Sequence, residues 1–368
     1  MTPPTIRGRL RAAGRCSWLV LSWTLGCWDP FHTNFAEVEP AIAYRRSELV
    51  SPAAPTRRLL FMNYNLKFGG GRIDFFFDCH GDRVLMTRDE VLANLEGLAT
   101  KIRQVDPAVL FVQEVDTNSK RSHFIDQVQW LLEHTSLNYA YYASQWKADF
   151  VPSDGIGAVD SGNAIFSKYP LRQGTRISLA LRQDLGGLER YFYLRRNLLR
   201  AALELAGQAP IALLTVHTEA YARDGTKLSH IERFKRELDE LTESGQVAVG
   251  GGDLNTLPPG SEQVSGFDDS ACTEDYQADD YSEEGEWLRP LYDAYSAETP
   301  LAEYQADNAA FFSHTTRSDG FWNRKLDYLF TNAEFVRGSG LTHQDEASGM
   351  ATLPLSDHAP ISVSLELP

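Results

Sequence analysis

The sequence predicts a mixed α/β (α+β) fold, and three features of the chain support this prediction. Short apolar runs, typical of buried strands, recur from residue 58 to the end of the chain. Several consecutive strands occupy the middle, with helical segments before and after them. Hydrophobic residues make up 43% of the 368 residues, and no linker divides the second half, so one large domain is expected. Mixed sheets with helices packed outside explain this order better than a simple parallel sheet does.

The N-terminus has the layout of a secretory signal. Four arginines, from Arg7 to Arg15, precede the uncharged apolar run of residues 16–27. A basic start followed by a short apolar stretch is typical of export signals. The run is too short to cross a bilayer, which takes about 20 apolar residues. We therefore expect export to the periplasm or the cell surface.

The end of that run, Thr24-Leu25-Gly26-Cys27, resembles the lipobox of bacterial lipoproteins. There the signal is cut before a cysteine that carries lipids, which would tether the protein to a membrane through Cys27. Gly26 fits the pattern, whereas Thr24 and Leu25 depart from it. An ordinary cleaved signal and an uncleaved amphipathic start are the alternatives. We expect a signal peptide over 1–27, a flexible tether over 28–57 and one domain over 58–368.

The elements of that domain follow from their local patterns. Thr87 suits the N-cap of a helix that continues to about Gln104. Residues 122–134 are predicted to be helical, with Phe124 and Val128 on the apolar face. A third helix is predicted over 228–241. The predicted strands are 58–64, 108–113, 139–144, 163–167, 198–205, 211–216, 247–250, 326–331 and 361–367.

Polar side chains stand at the ends of six of these strands. Each has a structural explanation: Asn65 could be a turn residue, Glu114 could pair with an arginine, and a lone histidine such as His217 is usually structural. Six such ends together are harder to explain, because these groups are costly to bury unless they are paired or bind a metal. The groups are Asn65, Gln113-Glu114, His217, Asp253 with Asn255, Asp327, and Asp357-His358.

The chemistry of these side chains narrows the kind of site. Carboxylate and amide oxygens suit Mg²⁺, Mn²⁺ or Ca²⁺, and two histidines with carboxylate partners suit acid–base chemistry. Cys79 lies outside the clusters, so a zinc–thiolate site is not expected. The formal net charge of −15 argues against stable nucleic-acid binding as the main role. It leaves room for an enzyme that holds one phosphate through a metal.

At these residues the chain resembles the endonuclease/exonuclease/phosphatase superfamily of DNase I-like metal-dependent phosphoesterases. That group includes pancreatic-type deoxyribonucleases, AP endonucleases, bacterial sphingomyelinases and inositol-polyphosphate 5-phosphatases. The resemblance covers about residues 58–368, and it implies a four-layer α/β/β/α sandwich with the site at one edge. The motifs that carry it are Tyr64-Asn65-Leu66, Leu110-Phe111-Val112-Gln113-Glu114-Val115, Gly162-Asn163-Ala164-Ile165-Phe166-Ser167, Val216-His217-Thr218, Gly252-Asp253-Leu254-Asn255, Leu326-Asp327-Tyr328 and Ser356-Asp357-His358.

The resemblance also implies a role for each residue of the site. Glu114 would be the principal metal ligand, with Asn65 beside it and Asp357 as a further ligand. The metal would be Mg²⁺, with Mn²⁺ or Ca²⁺ as alternatives.

The catalytic residues implied by the resemblance are five. Asp253 and Asn255 would hold and polarise the phosphate and the attacking water. His358 would be the general base or a phosphate contact, oriented by Asp327. His217 would bind the scissile phosphate and stabilise charge in the transition state.

The resulting prediction is a monomeric phosphodiesterase, a secreted nuclease or a sphingomyelinase-like phospholipase C, acting on nucleic acid or a phospholipid head group. A phosphomonoesterase of the same fold and a catalytically silent binding relative are the alternatives. A metal-independent hydrolase of carbohydrates or peptides is a further rival, which insensitivity to EDTA would favour.

Two regions are expected to shape the substrate pocket: a long loop over residues 147–162, with Trp146 and Phe150, and the acidic segment 261–322. A third group, Arg195, Arg196 and Arg200, could contact phosphate, although surface ion pairs are the simpler interpretation.

Overall fold

The computed structural model describes residues 29–51, 57–78, 81–267, 280–345 and 349–367. The predicted signal peptide, with Cys27, lies outside these residues, as do Cys79 and Cys272. All elements below belong to one unit that begins at Phe31. No helix among the described residues has the length and apolar character needed to cross a membrane.

The described residues form two mixed sheets of seven strands each. In chain order the strands are β1 (Val38–Pro40), β2 (Ile42–Arg45), β3 (Arg58–Asn65), β4 (Val109–Asp116), β5 (Tyr139–Val151), β6 (Gly157–Ser167), β7 (Leu171–Ser178), β8 (Asn197–Leu203), β9 (Ile211–His217), β10 (Ala248–Asp253), β11 (Ser296–Ala297), β12 (Asp327–Thr331), β13 (Leu341–Thr342) and β14 (Ile361–Glu366). The first sheet has the order β1-β7-β8-β9-β10-β12-β11, and the second has the order β13-β14-β3-β4-β6-β5-β2.

Helices lie between these strands in the sequence. They are α1 (Arg88–Val105), α2 (Gln127–His134), α3 (Gly187–Phe192), α4 (Thr226–Glu243), α5 (Arg289–Ala294) and α6 (Leu301–Ala306), with short 3-10 turns at Lys67–Gly69, Lys120–Ser122 and Ala309–Phe311. The predicted N-cap of α1 is confirmed: the Thr87 hydroxyl accepts from the Glu90 backbone N–H, and the Glu90 carboxylate accepts from the Thr87 backbone N–H.

Three cores arrange these elements as four layers. The inner core joins the two sheets, with Phe61 and Phe111 from one and Leu213 and Leu329 from the other. A second core packs α1 and α2 against the outer face of the second sheet. A third packs α4 and α5 against the outer face of the first sheet. The predicted four-layer α/β/β/α sandwich is therefore confirmed.

Within the predicted flexible tether of residues 28–57, two short segments of the described part, residues 29–51, are strands. Val38–Pro40 pairs with β7 at the edge of the first sheet, and Ile42–Arg45 pairs with β5 at the edge of the second. Both strands are short and mostly exposed, so they lack the buried apolar pattern by which strands are predicted. Strand β7 was missed for the same reason, since only Arg176 and Ile177 within it are buried.

Two further predictions are corrected by the structure. Residues 147–162 form a hairpin rather than a long loop, because β5 extends to Val151 and β6 begins at Gly157. Gly155 and Gly157, with φ of 81° and 69°, provide the tight turn between them. Helix α2 begins at Gln127, and Phe124, predicted to lie on its apolar face, is 53% exposed.

Gly252 is the position where the fold depends most sharply on the absence of a side chain. Its φ is 141°, and a Cβ there would lie 1.9 Å from the Val216 carbonyl oxygen on the neighbouring strand. We expect Gly252→Ala to lower the free energy of unfolding by about 1–3 kcal/mol or more, because backbone atoms would have to move. Gly285→Ala is the matched control, since a Cβ there meets no atom within 4 Å. Equal urea denaturation midpoints for the two variants would contradict this expectation.

His343 makes the stability of the fold depend on pH. Its Nε2 lies 2.8 Å from the Ser362 hydroxyl, and burial, together with Lys101, lowers its pKa to about 4. Between pH 6.5 and 4 the unfolded chain therefore binds more protons than the folded one, so stability falls as the pH falls. The loss approaches about 3 kcal/mol at about 1.4 kcal/mol per pH unit. Urea unfolding at pH 7 and pH 4.5 should show that His343→Gln loses less unfolding free energy than the wild type over this pH range. An equal loss in both proteins would contradict the role of His343.

Candidate active site

The side chains between the two sheets change from apolar to polar at one end of the sandwich. Along β3, Leu59 and Phe61 belong to the inner core, and Asn63 and Asn65 follow on the same face. Along β9, Leu213 is followed in the same way by Thr215 and His217.

Strand direction brings these polar ends together. Strand β3 runs parallel to β4, and β9 runs parallel to β10, so in each pair the carboxyl ends share one edge. The register sets Asp253 beside His217 on one side and beside Asp327 on the other.

A bulge in β4 positions Glu114. The pairing of β4 with β6 shifts between Val112 and Val115, and Glu114 has a φ of 54°, which is rare for a side chain of this kind. Its carboxylate is 28% exposed, whereas the carboxylates of Asp253 and Asp327 are buried. Glu114 is therefore the most exposed of the acids at this end of the sandwich, and backbone strain of this kind is common at functional sites.

Asp253 lies at the centre of the cluster. Its Oδ2 accepts a hydrogen bond from Asn65 Nδ2 at 3.1 Å and lies 3.4 Å from His217 Nε2 and 3.5 Å from His358 Nε2. Its Oδ1 accepts from the Asn255 backbone N–H at 3.0 Å. Burial raises the pKa of Asp253, although the neighbouring His358 opposes the rise. Asp253 is thus a carboxylate that can take up a proton close to neutral pH.

His358 is held in place on both ring nitrogens. Its Nδ1 lies 2.7 Å from Asp327 Oδ2, and its Nε2 lies 3.0 Å from His314 Nδ1. Asp327 is fixed in turn by the Asn63 amide at 3.0 Å and the Ser313 hydroxyl at 2.7 Å. Burial alone would lower the pKa of His358, but Asp327 and Asp253 raise it to about 10. His358 is therefore an imidazolium whose orientation is fixed by Asp327.

His217 has the opposite charge state. Burial and the nearby Arg196 hold its pKa well below 6.5, so this imidazole is neutral at pH 7. Gln145 Nε2 approaches its Nδ1 at 3.5 Å, which favours the tautomer with the proton on Nε2, the atom that faces Asp253. Two histidines with pKa values pushed apart lie on either side of one carboxylate, an arrangement typical of acid–base sites.

Asp357 forms the outer part of the cluster with His314. Ligand atoms of Asp357, His314 and His358 lie within 4.8 Å of one another, a spacing that could hold a metal ion only if His358 lost its Nε2 proton. Burial would raise the pKa of Asp357, but Lys67, His358 and His314 hold it well below its usual range. Asp357 therefore stays ionised, with Lys67 Nζ 3.9 Å from its Oδ2.

The donor set fits a hard divalent cation. Glu114, Asp253 and Asp357 bring three carboxylates into one small region, and Asp357 is one of the charges that raise the pKa of Glu114. Burial is the larger cause of that rise. Carboxylate oxygens crowded in this way are the ligands that Mg²⁺, Mn²⁺ and Ca²⁺ prefer, since a cation offsets their mutual repulsion.

Asn65 and Asn255, two residues predicted for the site, direct their side-chain amides differently from what their predicted roles require. The Asn65 amide donates to Asp253 and to Glu114, at 3.2 Å, while its oxygen accepts from the Lys67 backbone N–H. In this orientation Asn65 positions the two carboxylates. The Asn255 amide donates to the Thr218 carbonyl oxygen at 3.3 Å, and only its backbone N–H reaches Asp253.

Sequence reasoning missed three residues of this region. His314 and Lys67 are buried beside Asp357, and Gln145 is buried beside His217. His314 precedes the predicted strand that carries Asp327, so a histidine near a candidate site was the available signal. Lys67 follows Asn65 by two residues, and that proximity was its only signal. Gln145 stands within β5 and carries no sequence signal.

Comparisons with known proteins agree with this geometry. A family model described as "Endonuclease/Exonuclease/phosphatase family" matches residues 62–358. No curated protein matches the chain.

Solved structures show the same fold at low sequence identity. An endonuclease/exonuclease/phosphatase from Beutenbergia cavernae is 19% identical, with a TM-score of 0.53 over 85% of this chain and 72% of that one. An endonuclease/exonuclease/phosphatase family protein from Leptotrichia buccalis is 14% identical, with a TM-score of 0.51 over 83% of this chain and 98% of that one. The family match spans most of the domain, so the chain belongs to the endonuclease/exonuclease/phosphatase family.

Proposed function

We propose that this protein is a divalent-metal-dependent phosphodiesterase that hydrolyses its substrate by in-line attack of water. The observation that carries the proposal is the position of Asp253 Oδ2, within 3.5 Å of a neutral His217 and an imidazolium His358. Membership of the family supports a phosphoesterase in general, and the site adds the groups that such a reaction needs.

A divalent cation, Mg²⁺ first and Mn²⁺ or Ca²⁺ as alternatives, would be held by Glu114 and Asp357 with Asp253 beside them. When bound, it would supply Lewis-acid stabilisation of charge on the phosphoryl oxygens. Asn65 keeps Glu114 and Asp253 in place through its two amide contacts.

The protein's own groups account for the movement of the proton. Asp253 takes the proton of the attacking water, because burial makes this carboxylate more basic than an ordinary aspartate. His217 donates a hydrogen bond from Nε2 to a phosphoryl oxygen and keeps its proton, and the His358 imidazolium contacts the same phosphate and stabilises the charge that develops there. The bond from phosphorus to the leaving oxygen breaks, and that oxygen takes a proton from solvent. Of the two roles that the family resemblance implied for His358, its charge state favours the phosphate contact.

The charge balance of the site favours a diester over a monoester. Glu114, Asp253, Asp327 and Asp357 concentrate negative charge around the phosphate position. A monoester phosphate carries a charge of about −1.5 to −2 at pH 7, whereas a diester carries about −1, so the diester meets less repulsion. The substrate we propose is a nucleic acid or a phospholipid head group, with the phosphomonoesterase as the alternative. Export, a lipid anchor at Cys27 and a monomeric state are further parts of this proposal.

A substrate panel tests the proposal directly. Purified protein with Mg²⁺ is incubated with plasmid DNA, with sphingomyelin vesicles, and with chromogenic mono- and diesters, alongside EDTA-treated and Asp253→Asn samples. We expect faster hydrolysis of the diesters, and no hydrolysis in either control. Cleavage of DNA alone would make the protein a nuclease, and head-group release alone would make it a phospholipase C-type enzyme. Faster hydrolysis of monoesters would contradict the diesterase assignment. Activity that survives EDTA would contradict the dependence on a divalent metal.

A further inference from the structure

A positively charged cavity lies near the site. It has a volume of about 440 Å³, and three arginines line it: Arg190, Arg195 and Arg196. Asn34 and Ser178 add neutral polar groups, and none of the residues that line the cavity is acidic. In a chain with a formal net charge of −15, a concave surface with three positive charges and no acid is unexpected unless it binds an anion.

Arg196 shows that the cavity is more than a chance grouping of surface arginines. The residue is 6% exposed, and its Nε is buried without a hydrogen-bond partner. Glu219 Oε2 lies 3.9 Å from that atom, close enough for an ion pair but beyond hydrogen-bonding distance. The Tyr193 hydroxyl donates to the other oxygen of Glu219, Oε1, at 2.6 Å. A buried guanidinium with one long ion pair is weakly compensated, and an anion in the cavity would give its charge a second partner.

Arg190, which is half-buried, lines the same cavity. Its guanidinium donates to the Gln183 side-chain oxygen at 2.8 Å, and it forms no ion pair with any carboxylate in the described parts of the chain. Arg195 also lines the cavity, and its Nη1 donates to the Arg190 carbonyl oxygen at 3.3 Å.

A single side chain connects this cavity to the proposed phosphate position. Arg196 donates to the Gln145 side-chain oxygen at 3.4 Å, and Gln145 Nε2 lies 3.5 Å from His217 Nδ1. Arg196 also acts on the site electrostatically, because its charge contributes to the lowered pKa of His217. The cavity is thus adjacent to the histidine that we place on the scissile phosphate.

We propose that the cavity lined by Arg190, Arg195 and Arg196 is a subsite for a second phosphate group of the substrate. The substrate would be a phosphodiester whose organic portion carries another phosphate next to the scissile one. This inference rests on the proposed function for its location, but anion binding in the cavity can be measured without turnover.

The first arm of the test measures binding of inorganic phosphate in EDTA, so that no metal contributes. The proteins are the wild type, Arg190→Gln and, as the matched control, Arg200→Gln. Arg200 lies on β8 near Arg196 but pairs with Glu237 outside the cavity, and Glu237 keeps Arg233 as a partner. We expect the Kd for phosphate to rise at least about tenfold in Arg190→Gln and to stay unchanged in Arg200→Gln. Equal phosphate affinity in all three proteins would show that the cavity is not a phosphate subsite, whether or not any ester is hydrolysed.

The second arm compares two esters with Mg²⁺ present: thymidine 5′-(p-nitrophenyl phosphate) and the same compound with a 3′-phosphate. We expect the wild type to have a lower KM for the 3′-phosphorylated ester and Arg190→Gln to lose that preference. Hydrolysis of bis(p-nitrophenyl) phosphate, which has no second phosphate, should be the same in both proteins. An equal KM for the two esters in the wild type would refute the substrate assignment. Phosphate binding without hydrolysis of any ester would instead overturn the proposed function and keep the anion site.

Discussion

Replacing His358 with alanine is expected to reduce kcat on a phosphodiester by about 10²- to 10⁴-fold. The imidazolium is the cation that the protein itself places beside Asp253, and its removal takes away the contact that stabilises developing charge on the phosphate. Asp327 keeps its hydrogen bonds from Asn63 and Ser313, so the core beneath the site retains most of its support. Initial rates on bis(p-nitrophenyl) phosphate with saturating Mg²⁺ measure the effect.

The matched control for this change is His343→Gln. His343 is also buried, but it contacts Ser362 and Lys101 lies close enough to affect its pKa, so its loss should change stability and leave kcat within about twofold of the wild type. If His358→Ala kept the wild-type rate while remaining folded by circular dichroism, the assignment of His358 to the phosphate would be wrong.

Replacing Glu114 with glutamine is the second change with a large expected effect. Glutamine keeps the shape of the side chain and the contact with Asn65 but removes a charge at the partly exposed position where a cation would enter. We expect activity at a fixed, low Mg²⁺ concentration to fall by about 10²-fold or more, since even outer-sphere changes at metal sites cost about 10- to 100-fold. Part of the loss should be recovered by raising the Mg²⁺ concentration.

A titration of activity with Mg²⁺ distinguishes this effect from a general loss of structure. Glu237→Gln is the control, because Glu237 on α4 is a buried carboxylate that pairs with Arg233 on the same helix and with Arg200 on β8, away from the site. Its Mg²⁺ dependence should match that of the wild type. If Glu114→Gln reached half-maximal activity at the same Mg²⁺ concentration as the wild type, Glu114 would not be a metal ligand.

The sequence predicted the central strands well because their burial leaves a strong pattern. Strand β9 is buried along its whole length and β4 everywhere except at Glu114, so both appear as apolar runs, and the polar residue that ends each run is conspicuous. This is why Glu114, His217 and Asp253 could be proposed together before any geometry was known.

The parts that could not be predicted depend on contacts between distant segments. The edge strands β1 and β2 are mostly exposed, and only pairing with β7 and β5 makes them strands. Lys67 and Arg196 are charged residues that the sequence places on the surface by default, yet both are at least nine-tenths buried. The charge states of His217 and His358 likewise depend on burial and neighbours that no local pattern reveals.

The central claim is that the cluster around Asp253 hydrolyses phosphodiesters with the help of a divalent cation. The most direct measurement is the rate of nitrophenol release from bis(p-nitrophenyl) phosphate by EDTA-treated protein, as Mg²⁺ is added back to the wild type and to Asp253→Asn. We predict no release before Mg²⁺ is added, saturable recovery in the wild type, and no recovery in the variant. Release without any metal, or equal recovery in both proteins, would contradict the account.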